Sequence, residues 1–135
     1  MKKNLIITAL VCLMGTGAVN AQVADTSKVN AASPEISFAS TEHDYQTIEQ
    51  GGNGTYKFTF TNSGKTPLIL TNVVSSCGCT TPIWPKEPIK PGGKAEIEVG
   101  YNTNIVGPFN KSITVFSNGK TSPIILHIKG EVKAK

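Results

Sequence analysis

From Glu35 onward the apolar side chains of this chain recur at every second residue. Tyr56, Phe58 and Phe60 alternate with Lys57, Thr59 and Thr61; Ala95, Ile97, Val99 and Tyr101 alternate with Glu96, Glu98 and Gly100. Successive side chains of a strand point to opposite faces, so this period puts one face in a core and the other in water. A helix needs apolar residues at i, i+3, i+4 and i+7, and no window supplies them with caps, so no helix is predicted beyond the N-terminal leader.

Further strands are marked by Ile36 and Phe38, by Tyr45 and Ile48, by Leu68 to Val74, by Ile113 and Val115, and by Ile124, Leu126, Ile128 and Val132. Turn chemistry separates them. Gln50 to Gly54 and Asn62 to Pro67 are rich in Gly, Asn and Pro, and Asn118-Gly119 predicts a tight hairpin. Residues 75–93 hold Pro82, Pro85, Pro88, Pro91 and Gly92-Gly93, which predicts an ordered loop rather than a strand. Seven or eight short antiparallel strands in about 100 residues match an all-β immunoglobulin-like sandwich. An eight-stranded barrel is the structural alternative.

The N-terminus reads as a secretory signal. Lys2 and Lys3 precede an apolar stretch from Leu5 to Met14, and Val19-Asn20-Ala21 has the small residues of a cleavage site. The apolar run, broken by Gly15 and Gly17, is too short to span a bilayer. Cleavage after Ala21 leaves no membrane-spanning segment and a periplasmic or secreted product. Residues 22–34 are small and polar and read as a flexible linker; residues 35–133 form the one domain.

Cleavage lowers the formal charge of the 135-residue chain from +4 to +2. All 13 basic residues are Lys. Without Arg there is no bidentate donor for phosphate or guanine, and the small charge cannot track a nucleic-acid backbone. Nucleic acid is therefore excluded as a partner class.

Cys12 leaves with the signal, and the exported chain keeps Cys77 and Cys79 in Cys77-Gly78-Cys79-Thr80. Three readings compete. The pair can close an intraloop disulfide, since Gly78 permits the bend; closing a three-residue loop adds only about 1.6 kcal/mol, and strain would make the bond labile. It can be a Cu(I) site, since two soft thiolates suit that ion. A third ligand is missing, because His43 and His127 are distant in sequence and both Met residues leave with the signal. Or both thiols pack as small hydrophobes. One Cys-x-Cys cannot complete a structural zinc site.

Trp84, beside Pro85, reads either as an exposed partner anchor or as a lid on the end of the sandwich. His43 and His127 read as solvated. Glu96 and Glu98 share one strand face and read as a solvated face, not an acid–base pair. No nucleophile–base motif occurs. The expectation is a non-catalytic, cofactor-free binding or structural module, contacting an envelope protein or glycan through exposed strand edges and the loop at Trp84 and Pro85. Redox exchange or Cu(I) binding at Cys77 and Cys79 is the alternative.

The ordered series Tyr45-Gln46-Thr47-Ile48, Phe58 to Gly64, Pro67-Leu68, Cys77-Gly78-Cys79-Thr80, Pro88 to Gly92, Ser117-Asn118 and Ile128 to Val132 resembles the bacterial domain-of-unknown-function family 1573. That family resembles the immunoglobulin-like modules of sperm-protein-like and pilus-chaperone-like domains. The resemblance implies export, one β-sandwich, and the Cys-Gly-Cys-Thr loop as a hallmark. It implies no substrate or reaction. Its pattern has Phe-Gly where this chain has Tyr45-Gln46, a departure expected to fall in a turn.

Overall fold

A computed structural model describes residues 33–135; the segments expected to be a signal sequence (1–21) and, but for its last two residues, a linker (22–34) lie outside the described residues. Eight strands form: β1 (Ile36–Phe38), β2 (Glu42–Glu49), β3 (Thr55–Asn62), β4 (Leu70–Ser75), β5 (Thr80–Ile83), β6 (Lys94–Tyr101), β7 (Gly107–Ser117) and β8 (Ile124–Lys133). They build two four-stranded sheets, β1-β3-β6-β5 and β2-β8-β7-β4, and no helix occurs among the described residues. The sandwich expected from the period is therefore present.

The alternation decides the core. Phe58 and Phe60 of β3, Ile97 and Val99 of β6, Ile113 and Val115 of β7, and Leu126, Ile128 and Val132 of β8 are all buried between the sheets. Removing such side chains from water contributes about 1.5–3 kcal/mol each, which drives the two sheets together. An aromatic series joins the layers at one end, with Tyr101 stacked on Phe109 at 3.8 Å and Tyr45 packed at 5.7 Å from Phe109. Asn62, fully buried, donates from Nδ2 to the carbonyls of Thr66 (2.8 Å) and Ile89 (2.9 Å), and its Oδ1 accepts from the Gly64 amide (3.0 Å).

Four local expectations are corrected. The pairings are antiparallel except β2 with β8, which is parallel, because the chain leaves β1 in one sheet and enters β2 in the other within three residues. Residues 75–93 are not all loop: β5 forms there, with Pro82 on an edge strand where its missing N–H costs no ladder bond. Asn118-Gly119 is no two-residue hairpin, since six residues separate β7 from β8. Asn118 instead ties the neighbouring segment, its Oδ1 accepting from the Ile69 amide and its Nδ2 donating to the Pro67 carbonyl. Tyr45-Gln46 is a bulge within β2 rather than a turn: the register shifts between Asp44 and Thr47, and Gln46 has φ of 59°.

Each edge strand is blunted. β1 has only three residues, and the Glu35 carboxylate takes its Ile36 amide. β2 carries the bulge, β5 carries Pro82, and on β4 the Asn72 side chain takes the Val73 amide at 2.9 Å. These are the devices by which proteins discourage strand addition, so the edges expected to serve as contact surface are poor ones.

Candidate functional site

β4 is an edge of one sheet and β5 an edge of the other, and residues 76–79 carry the chain across between them. The Cys-Gly-Cys sequence is thus a crossover at the rim of the sandwich. Cys77 and Cys79 are joined as a disulfide, with Cα atoms 5.4 Å apart. Other bonds also hold the crossover. The Ser75 hydroxyl lies 2.7 Å from the Cys77 carbonyl and 2.8 Å from the Thr80 carbonyl, which share its one proton. The Ser76 amide donates to the Ser112 carbonyl, and the Asn102 amide to the Cys79 carbonyl, both at 2.9 Å. Cys79 packs against the core while Gly78, at the tip, has open space around it. No group of three His, Cys, Asp or Glu side chains suited to a metal occurs among the described residues.

Five residues on, β5 gives way to Trp84 and Pro85. Trp84 is half-buried and packs on the core, as a lid would, and its indole N–H is buried without a hydrogen-bond acceptor. The Lys86 ammonium sits 3.0 Å above the centre of its ring, a cation–π contact. Trp84 and Pro85 also wall an open groove of about 740 Å³ on the outer face of β3 and β6. Its floor follows from register: Ile83 pairs with Glu98, Glu98 with Lys57, and Glu96 with Thr59, so these side chains emerge on one face. Lys57 reaches Glu96 at 3.5 Å and Glu98 at 4.0 Å. Ile83, 61% exposed, stands apolar among these charges. Sequence reasoning singled out Trp84, Pro85, Glu96 and Glu98 separately. That they share a groove depends on the β5–β6 pairing, which was invisible while residues 75–93 read as loop.

His43 is not freely solvated, which corrects the expectation. Period two places it on the inward side of β2 with Tyr45, where it stacks on Tyr56 at 3.6 Å and meets Tyr45 edge-on at 4.5 Å. Burial holds its pKa below the ordinary imidazole value, partly offset by Asp44. Burial likewise pushes the Tyr45 phenol up to about 12, and its hydroxyl donates to the Gly54 carbonyl at 2.8 Å. His127 is exposed on the outer face of β8. Beside it, Lys129 pairs with Glu42 at 2.5 Å; that hydrogen bond lowers the Glu42 pKa and raises that of Lys129. The two histidines therefore lie on opposite faces of their sheet. Cys77 and Cys79 make their side-chain contacts with Thr80 and the core, not with either imidazole.

No helix of the described residues is long and apolar enough to cross a membrane. No curated protein matches the chain. Among solved structures, a protein of unknown function from Porphyromonas gingivalis W83 superposes with TM-score 0.68 at 19% identity, over 76% of this chain and 48% of that one. The chain thus spans about half of that relative's length. The PapD-like domain 7 of human CEP192 superposes with TM-score 0.64 at 9% identity, over 77% of this chain and 89% of that one. The Pseudomonas aeruginosa CupB2 chaperone does so with TM-score 0.52 at 10% identity, over 71% and 55%. At these identities the likeness is one of fold alone, a two-sheet β-sandwich. A family model matches residues 36–132, nearly the whole described domain, and the chain belongs to the family described as protein of unknown function (DUF1573).

Proposed function

We propose that this chain is exported to the periplasm or beyond and serves there as a non-catalytic binding module whose contact surface is the groove beside Trp84. The groove carries the reading: about 740 Å³ of open space, walled by Trp84 and Pro85, with exposed Ile83 set among Lys57, Lys94, Glu96 and Glu98. An apolar anchor point ringed by charges of both signs suits a polypeptide segment, which offers apolar side chains and charged groups together. A glycan would use the Trp face instead, but Lys86 already covers one side of that ring. An envelope protein is therefore the preferred partner. Fold likeness to a chaperone, a protein that works on other proteins, is consistent with this reading. The signal sequence supplies the case for export.

The test is retention of envelope proteins on the immobilised domain, compared with an Ile83→Glu, Lys57→Glu variant. Both changes lie on exposed positions and leave the core alone. Proteins held through the groove drop by about tenfold on the variant, the scale of losing an interface anchor. Equal recovery on both sinks the proposal.

A further inference from the structure

Thr80 is 3% exposed, and the hydrogen-bond partners of its hydroxyl are two sulfur atoms, Cys77 Sγ and Cys79 Sγ, each 3.9 Å away. A buried hydroxyl is costly unless it is well paired. Disulfide sulfur is a weak acceptor, whereas a thiolate is a charged one, and charge-assisted hydrogen bonds are about twice as strong as neutral ones. The hydroxyl is thus better matched to the reduced pair than to the oxidised one.

Two further observations agree. The bonds from Ser75, Ser76 and Asn102 hold the crossover without the sulfur link, so opening it leaves the backbone anchored. Both cysteines are half-buried, but they differ in their surroundings, since Cys79 packs against the core while Cys77 does not. Access decides which sulfur an incoming thiolate attacks.

We propose that Cys77 and Cys79 form a reversible redox site that exchanges with an external thiol, with Thr80 as its positioning residue. A thiolate attacks Cys77 Sγ. The Cys77–Cys79 bond breaks, a mixed disulfide forms on Cys77, and the electron pair leaves on Cys79 Sγ, which accepts the Thr80 hydroxyl proton in a hydrogen bond. A second external thiolate then attacks the external sulfur of the mixed disulfide. It leaves as an oxidised pair, and Cys77 departs as a thiolate. The net reaction takes two thiols to one disulfide while this domain gains two electrons and two protons; an external disulfide reverses it. The site is separate from the groove at Trp84, so it stands or falls independently of the binding function.

The oxidised, exported chain is mixed with reduced glutathione in one arm and with reduced thioredoxin in another, and thiols are counted by maleimide labelling and mass. Two thiols appear while the cooperative melt persists. Cys79→Ser traps a mixed disulfide with oxidised glutathione, and Cys77→Ser does so about tenfold more slowly, because its remaining sulfur is packed. Thr80→Val slows reduction about three- to tenfold and moves the rise of thiol reactivity to higher pH, and Thr80→Ser restores both. Reaction with glutathione alone assigns small thiols as the partner, and with thioredoxin alone a protein dithiol. No reduction in either arm, or reduction that abolishes the cooperative melt, overturns the redox site. A Thr80→Val variant with wild-type rate and pH profile overturns the role of Thr80.

Discussion

The imidazole of His43 lies flat on the phenol of Tyr56, ring centres 3.6 Å apart and planes within 9°. Partial burial there favours the neutral ring, so the folded pKa falls below the ordinary 6.5. The unfolded chain then binds more protons than the folded one just below that value, and stability drops as pH falls through it. The Tm at about pH 5.5 is expected to lie below that at about pH 7.5, and His43→Phe is expected to flatten the difference. Glu42, whose pKa is lowered, acts in a separate and more acidic window, below its ordinary 4.5. A variant with the full wild-type slope between the two pH values refutes the assignment.

Asn62 ties three backbone groups from inside the core. Asn62→Ala leaves the carbonyls of Thr66 and Ile89 and the amide of Gly64 without this partner. The expected loss is about 2–4 kcal/mol, readable as a lower urea midpoint. A loss under about 0.5 kcal/mol, the range of ordinary surface changes, contradicts this account.

Gln46 occupies the left-handed region that glycine adopts without penalty. Its side chain is exposed, and the backbone bond from its amide to Asp44 Oδ1 survives substitution. Gln46→Gly is expected to raise stability by about 0.5–1 kcal/mol, the steric relief exceeding the added unfolded-state entropy. A lower Tm for the variant shows that the bulge does not need this conformation.

The disulfide closes so small a loop that Cys77→Ser, Cys79→Ser together are expected to cost no more than about 2 kcal/mol in chemical denaturation. A loss of 4 kcal/mol or more, the upper range for native staples, marks the link as a structural necessity.

The sandwich was legible because burial of alternate residues is a local pattern: Phe58, Phe60, Ile97 and Val99 declared their face before any pairing was known. The spacing of three between Tyr45 and Ile48 leaves room for one extra residue, which returns Ile48 to the inward side, but with Tyr45-Gln46 expected in a turn the β2 bulge went unread. What stayed hidden depends on contacts across sequence. Asn62 looked like turn chemistry, and only the approach of Ile89, 27 residues on, makes it a buried tie. Thr80 beside the cysteines gave no sign of burial, and the groove at Trp84 needed β5 to exist. The parallel pairing of β2 and β8 follows from a three-residue passage between sheets that no residue preference announces.

The capped amides of Ile36 and Val73, the short β1, the bulge in β2 and the proline in β5 bear on how such a chain behaves among its own copies. A newly made polypeptide meets copies of itself before it is fully packed, and open ladders would zip such neighbours into fibrils. Here every rim offers an interrupted or already satisfied template. The molecule is thereby equipped to meet others by side chains on a face, and to decline them along its borders.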